Sequence, residues 1–257
     1  MRRGRAAALL VLVCAAASAQ ERAVPLDQLK SGSAFLGQDL RTLQADEFAN
    51  PGMLWVERGE KLWSEPAGAA NRSCAGCHQG ASMRGVAARY PKIDAASGKL
   101  LNLEGRINLC RTGRMGAQAL RSESEDLLAL TAFVARQSRG MPMGVAIDGP
   151  ARAHLGAGRA FYFQRRGQLN LTCAHCHDEN WGKRLLAETI TQGHPNAWPA
   201  YRLEWQTMGS LERRLRACLS GIRAEMLPYG APELLDLELF LAWRAQGLAV
   251  EAPGVRR

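Results

Sequence analysis

The sequence has few aromatic residues, few cysteines and no long apolar run. Aromatic residues make up only 6% of the 257 residues, a low share that disfavours a β-sandwich, because aromatic side chains are enriched in strands. Seven cysteines are too few, in a chain of this length, for a small disulfide-dense protein. A transmembrane helix needs about 20 apolar residues in succession, and no segment after the N-terminus provides them, so we predict no membrane span.

The remaining composition is that of a globular protein with excess positive charge. Hydrophobic residues make up 47% and charged residues 22%, a balance that argues against wholesale disorder. Lys and Arg together number 33 against 24 Asp and Glu, which gives a formal charge of +9. Such a charge favours anionic partners in general. Because the chain carries an export signal, we expect no nucleic acid among them.

The N-terminus has the pattern of a secretory signal peptide. Three arginines among the first five residues precede an apolar stretch over residues 6–16, and Ala17-Ser18-Ala19 fits the small-residue cleavage pattern. The stretch is too short to span a bilayer of about 30 Å. We therefore predict that residues 1–19 are a signal peptide, cleaved after Ala19, and that the mature protein is periplasmic. An uncleaved short anchor is the alternative.

Four of the six cysteines after this segment lie in two copies of one pentapeptide, C-x-x-C-H. This is the attachment signature of c-type haem, in which two thiols form thioethers and the histidine is the proximal iron ligand. Two copies in an exported chain predict two covalently bound haem c groups. A disulfide-exchange motif does not need the histidine, and a zinc site needs looser spacing. The attachment residues are Cys74, Cys77, Cys173 and Cys176, and the proximal ligands are His78 and His177.

The repeat extends beyond the pentapeptides. Gly59 and Gly158 each stand 15 residues before the first cysteine of a motif. Residues 104–110 and 212–218 both read E-x-R-[IL]-x-x-C, and a similar apolar block follows each of them. Four blocks in one order, with similar spacing, indicate two copies of one domain.

Each copy has the pattern of a small helical haem domain. A short helix precedes the motif, a loop-rich middle follows it, and an amphipathic helix closes the copy, as in class I cytochromes c. The sequence therefore predicts an all-α protein of two tandem class I cytochrome c-like domains that arose by internal duplication. Glycines and prolines interrupt regular structure over residues 141–150, so we assign residues 45–148 and 149–248 to the two domains.

The sixth ligand of each iron has more than one candidate. Class I cytochromes c commonly use a downstream methionine, but the repeat places Cys110 and Cys218 at equivalent positions. It thus predicts the ligand pairs His78/Cys110 and His177/Cys218, with low potentials because a thiolate stabilises ferric iron. A disulfide between Cys110 and Cys218 is the alternative, since exported thiols do pair. The available methionines are Met115, Met141, Met143, Met208 and Met226.

An arginine precedes each of these cysteines by four residues. Because positions i and i+4 share one face of a helix, Arg106 and Arg214 can flank Cys110 and Cys218. A guanidinium favours the thiolate and binds anions through its planar fork. A surface position or a haem propionate contact is the alternative, and we favour the propionate contact for Arg106. Positive charge is denser around Cys218, so we place anionic chemistry in the second copy.

Several stretches of the second half together carry a family resemblance. They are Arg165-Arg166-Gly167-Gln168, Cys173–His177, Gln192-Gly193-His194-Pro195, Trp198-Pro199-Ala200-Tyr201-Arg202-Leu203, Arg214-Leu215-Arg216-Ala217-Cys218 and Ile222-Arg223-Ala224-Glu225. With them the chain resembles the SoxA family, the cytochrome subunit of the SoxAX complex in bacterial thiosulfate oxidation. The resemblance covers nearly all of residues 45–248, and the two haem motifs match the dihaem type.

The resemblance implies an L-cysteine S-thiosulfotransferase. Cys218 would be the active-site cysteine, able to carry an extra sulfur as a persulfide, and Arg214 the substrate-binding residue. The implied reaction is the oxidative conjugation of thiosulfate to a cysteine of SoxY, the sulfur carrier of the SoxYZ complex. SoxX, a small monohaem cytochrome, would form a heterodimer with the chain and take up the electrons.

Two other functions compete with this interpretation. A non-catalytic periplasmic dihaem electron carrier needs no reactive thiol and favours methionine ligands, and a dihaem peroxidase needs an open iron. The two Arg-x-x-x-Cys blocks favour the thiosulfotransferase over both. His175 and His194 are candidate proton carriers in this reaction, although packing suits each of them better.

Overall fold

Helices make up most of the regular structure in the computed structural model, which describes residues 24–78 and 83–257. The predicted signal peptide, residues 1–19, lies outside the described residues. Every helix of the described residues is too short or too polar to span a bilayer. The α-helices of the described residues are α1 Gln38–Ala45, α2 Met53–Ser64, α3 Cys74–Cys77, α4 Leu103–Met115, α5 Glu125–Arg136, α6 Ala151–Phe163, α7 Cys173–His177, α8 Leu211–Gly221 and α9 Pro232–Arg244.

Capping side chains set where the longer helices begin. Asn102, Ser124 and Ser210 each accept a hydrogen bond from a backbone N–H in the first turn of α4, α5 and α8, respectively. These bonds satisfy donors that have no partner inside a helix. Helix α9 starts with Pro232, a residue that lacks the N–H donor. The starts of α4 and α8 therefore hold the two E-x-R-[IL]-x-x-C blocks in helical conformation.

Two helix pairs form the frame of the molecule: α2 packs along α5, and α6 packs along α9. A glycine allows the close approach in each pair. A Cβ atom added to Gly59 would lie 2.1 Å from the carbonyl oxygen of Ala129, and one added to Gly158 would lie 2.0 Å from that of Asp236. The two glycines that the sequence repeat aligns thus have the same packing role in the two halves of the chain, before and after residue 148.

Short strands accompany the helices, so the all-α prediction holds for the dominant elements only. β5 pairs with β6 in antiparallel and with β7 in parallel orientation, and Tyr201 lies between Met208 and Val255. This sheet joins the C-terminus to the middle of the second half, a long-range pairing that no local periodicity indicates. The strands are β1 Lys92–Ile93, β2 Leu100–Leu101, β3 Arg184–Leu185, β4 Glu188–Thr189, β5 Ala200–Arg202, β6 Thr207–Gly209 and β7 Gly254–Arg256.

One apolar cluster draws on both halves of the chain. It includes Leu103 and Val134 from the first half and Leu155, Leu234 and Phe240 from the second. The backbone adds a link, because residues 141 and 143 hydrogen-bond with residues 248 and 250 beyond α9. The halves therefore share a core, and the division at residues 148 and 149 stays a prediction.

Three glutamates gather where the halves meet. Glu104 lies in the first turn of α4, Glu212 in the first turn of α8, and Glu238 within α9. Burial raises the pKa of Glu104 to about 7, and the charge of Glu212 adds to the rise. Burial also raises the pKa of Glu238, with contributions from Glu212 and Glu104. These carboxyls therefore retain protons at a pH where exposed glutamates are ionised.

Candidate functional site

The second haem motif is a short helix with a tight N-terminal cap. The Thr172 hydroxyl accepts a hydrogen bond from the His175 N–H at 3.0 Å, and His175 Nδ1 accepts one from the Thr172 N–H at 3.0 Å. This reciprocal pair starts α7 and gives His175 a capping role. His194 is buried, and its Nε2 lies 3.1 Å from Oε1 of Gln192.

The loop after the motif orients the ring of His177. Its Nδ1 lies 2.7 Å from the carbonyl oxygen of Thr191, and because a carbonyl can only accept, Nδ1 carries the proton. Nε2 is then the nitrogen that can bind a metal. Gly193 has φ of +73°, and an added Cβ would lie 2.9 Å from Cγ of His177. The Thr191 carbonyl therefore holds the ring at one edge, and the lack of a side chain at Gly193 lets the backbone pack against the ring.

The Cys218 thiol lies within hydrogen-bonding reach of the His177 ring. Burial raises the pKa of Cys218, but the positive charge of Arg214 and the contact with His177 outweigh it, and the pKa falls to about 7. At Cys173, by contrast, no opposing charge outweighs burial, and the pKa rises to about 12. Cys218 is thus the thiol of this site with the greater thiolate share, and thiolate is the form that binds metals and attacks electrophiles.

Arg214 lies beside this thiol and has no carboxylate partner among the described residues. Two neighbouring arginines are engaged. Nη1 of Arg213 lies 3.8 Å from a carboxylate oxygen of Glu123, and the Arg216 guanidinium lies 4.3 Å from the ring centre of Tyr229. The fork of Arg214 is therefore available for an anion close to Cys218.

A second arginine, Arg202, also lies near Cys218, a position that the sequence analysis did not predict. Its charge also lowers the pKa of Cys218, although its side chain is buried and forms ion pairs with Glu188 at 2.9 Å and Glu204 at 2.8 Å. Arg202 belongs to Trp198–Leu203, one of the stretches that carry the family resemblance, but no local pattern relates it to Cys218.

The first haem motif is built on similar lines with different neighbours. The ring of His78 stacks on Trp63, with 5.3 Å between ring centres. Burial raises the pKa of Cys74; the charge of Arg111 lowers it by less, and the nearby thiol of Cys110 adds to the rise. Cys110 therefore lies near its own motif, as Cys218 lies near the second one.

The six described cysteines are all free thiols, so the structure contains no Cys110–Cys218 disulfide. Three of the methionine candidates are buried: Met115, Met143, which belongs to the apolar cluster shared by the halves, and Met208, which belongs to a smaller cluster around Val56. At the first site, Nη1 of Arg106 lies 2.9 Å from the Asp94 carboxylate. Arg106 therefore forms an ion pair with a protein carboxylate.

These groups fit haem c. Each motif offers two free thiols for covalent attachment and an adjacent histidine, and each has a further cysteine nearby. At the second motif, the hydrogen bond from Nδ1 to Thr191 prepares Nε2 of His177 for the iron. The ligand pairs themselves stay predictions.

The fold and the site define the chain as a c-type cytochrome with haem c as its cofactor. A sequence-family model, the SoxA/TsdA cytochrome c domain, matches residues 58–143. The L-cysteine S-thiosulfotransferase subunit SoxA of Pseudaminobacter salicylatoxidans is 42% identical over 91% of this chain and 82% of the relative. That of Rhodovulum sulfidophilum is 40% identical over 90% and 81%. The chain belongs to the SoxA family.

A solved structure supports the same assignment. The crystal structure of SoxXA from P. pantotrophus superimposes with a TM-score of 0.86 at 38% identity, covering 89% of this chain and 87% of that chain. The resemblance predicted from the second-half motifs is therefore confirmed. It extends into the first half, where the family model matches residues 58–143.

Proposed function

We propose that the chain is the catalytic subunit of an L-cysteine S-thiosulfotransferase. It conjugates thiosulfate oxidatively to a cysteine of SoxY and passes the electrons to SoxX. The observation that carries the proposal is the arrangement at Cys218: a thiol with a pKa of about 7, in reach of the His177 ring and beside the uncompensated charge of Arg214. The SoxA relatives and the SoxXA structure support it.

The reaction joins two sulfur atoms. A carrier thiol, R–SH, and thiosulfate give the S-thiosulfonate R–S–S–SO₃⁻. One proton and two electrons are released. Thiosulfate is a dianion, so the planar fork of Arg214 can hold its sulfonate oxygens. Cys218 supplies the sulfur nucleophile, either as thiolate or as persulfide.

The chain holds two haem c groups in this proposal. Cys74 and Cys77 attach the first, and Cys173 and Cys176 the second, with His78/Cys110 and His177/Cys218 as iron ligands. When bound, haem supplies iron that accepts one electron at a time. The residues around the second group keep its ligand ring oriented and the neighbouring thiol ionised.

We further propose that the halves arose by internal duplication, as two class I cytochrome c-like domains over residues 45–148 and 149–248. The equivalent packing of Gly59 and Gly158 supports this origin. Chemistry is assigned to the second copy, since its arginine lacks the carboxylate partner that Arg106 has. The predicted signal peptide and the need to attach haem c outside the cytoplasm support a periplasmic location.

Replacement of Cys218 tests the function. In a reaction with SoxY, SoxX, thiosulfate and an electron acceptor, Cys218→Ala is expected to abolish the thiosulfate-dependent mass gain on the carrier, because the sulfur nucleophile is lost. Intact mass must show that both haems remain attached. Full activity of Cys218→Ala would leave the alternative, a non-catalytic dihaem electron carrier.

A further inference from the structure

A buried ionic network lies beside the second haem motif. Arg244, at the end of α9, is only 5% exposed, and its Nη1 donates to the carbonyl of Gln192 at 3.0 Å. Its Nη2 donates to the carboxylate of Asp178, which also accepts a hydrogen bond from the Tyr162 hydroxyl at 2.9 Å. The Arg244 guanidinium lies 4.6 Å from the centre of the Tyr162 ring. One arginine thus joins α9, α6, the residue after the haem motif and the following loop.

The loop that Arg244 contacts is the loop that orients His177. Thr191 accepts the Nδ1 proton of that ring, Gln192 accepts from Arg244, and Gly193 packs against the ring face. Within the loop, the Gly193 N–H donates to the Thr191 hydroxyl at 3.1 Å. Displacement of the Gln192 carbonyl therefore moves both neighbours that determine where the ring points.

The network belongs to the second half alone. In the first half the sequence repeat places residues of different chemistry at the matching positions, and they cannot form an arginine–carboxylate pair. The matching residues are Gln137 for Arg244, Gln79 for Asp178 and Trp63 for Tyr162. The two copies therefore differ in their support of the proximal histidine as well as in their arginines beside the cysteine.

We propose that Arg244 is a positioning residue for the second haem site, which acts with Asp178 to fix the loop over residues 191–193 and thereby the His177 ring. The inference rests on the proposed function in one respect, since it takes His177 as an iron ligand. A histidine whose Nδ1 proton is firmly held donates more strongly to its metal. Loosening the loop weakens that donation and makes the iron easier to reduce.

The test compares purified holoprotein with variants at both copies. Arg244→Gln introduces the residue of the first copy. It is expected to shift the electron paramagnetic resonance signal of the second haem, to raise its reduction potential, and to speed hydrogen exchange at the Gly193 amide. The first haem should not change. Arg244→Lys keeps a charged donor and should restore part of each shift, and Gln137→Ala, at the matching position, should shift neither haem.

Tyr162→Phe provides a milder variant that keeps the ring and loses only the hydroxyl donor to Asp178. It is expected to shift the second haem in the same direction by a smaller amount. Equal shifts of both haems, or an unchanged second haem in Arg244→Gln and Tyr162→Phe, would overturn the positioning role. Hydrogen exchange at the Gly193 amide can be measured without haem, so it tests the positioning role of Arg244 independently of the cofactor. A mass without a second haem would overturn the proposed cofactor, not the positioning role.

Discussion

Arg106 and Arg214 occupy the same position of the repeat, four residues before a cysteine, but their surroundings differ. Arg106 is paired with Asp94, whereas Arg214 has no carboxylate partner among residues 24–78 and 83–257. A guanidinium already neutralised by a carboxylate binds a second anion weakly, because its charge is compensated. At the scale of single residues, this difference locates substrate binding at the second site.

Arg214→Ala should therefore weaken the use of thiosulfate far more than Arg106→Ala does. A charge-assisted hydrogen bond contributes roughly 1.5–3 kcal/mol, which corresponds to a loss of about 10- to 150-fold in apparent affinity. The measurement is the thiosulfate concentration that gives half-maximal mass gain on the carrier. Equal losses in the two variants would contradict the assignment of the anion site to the second copy.

At the level of secondary-structure elements, the close packing of each of two helix pairs requires a glycine. Gly158 of α6 lies against the backbone of α9, and a Cβ there would lie 2.0 Å from a carbonyl oxygen. Gly156, in the same helix, has no atom within 4 Å of an added Cβ. The helix thus contains both a glycine that packing requires and one that it does not.

Gly158→Ala is expected to destabilise the protein by about 1–3 kcal/mol, the usual cost of forcing extra atoms into a packed interface. The matched Gly156→Ala should stabilise it by roughly 0.5–1 kcal/mol, since alanine favours the helix over glycine. Urea unfolding followed by circular dichroism measures both. A destabilising Gly156→Ala, or a neutral Gly158→Ala, would show that α6 does not pack as described.

At the scale of the whole molecule, buried carboxyls join the two halves. Burial raises the pKa of Glu104, Glu212 and Glu238; the charge of Glu212 adds to the rise at Glu104 and Glu238, and that of Glu104 adds to the rise at Glu238. Arg216 moderates the rise at Glu212, and Glu123 adds to it. Ionisation of this cluster places like charges together in a region with little water.

Stability should therefore fall as the pH rises from 5 to 8. The pKa of Glu104 is about 7 in the folded protein against 4.5 when unfolded, so the folded state binds more protons between these values and loses stability as the proton leaves. Glu104→Gln, which cannot ionise, should flatten this decline. The free energy of unfolding of the wild-type protein and of Glu104→Gln, measured at pH 5, 6.5 and 8, checks this prediction. The same decline in both proteins would refute the role of Glu104.

The number of haems is a property of the whole molecule as well. Both motifs have free thiols and a histidine, so the exported protein should keep two haems after denaturation, because thioether bonds are covalent. Intact mass spectrometry counts them directly. A mass with one haem would identify one motif as unused, and Cys77→Ala and Cys176→Ala variants would show which one.

Much of the site could be predicted from local sequence. The haem motifs, the repeated glycines and the two E-x-R-[IL]-x-x-C blocks are short patterns whose residues lie within a few turns of each other. The nearness of Cys110 and Cys218 to their own motifs followed from the order of blocks alone. The sheet of β5, β6 and β7 did not, since it pairs residues 200–202 with residues 254–256.

Residue type and spacing along the chain were enough to predict the class of the protein, its family, and the cysteines and histidines that fit haem c. Tertiary packing was needed to show that Arg106 is paired and Arg214 is available, that Thr191 holds His177, and that Arg244 reaches Asp178. The last two contacts join residues 14 and 66 positions apart. They depend on the path of loops without periodicity, and that path follows from the packing of α6 and α9 rather than from any local pattern.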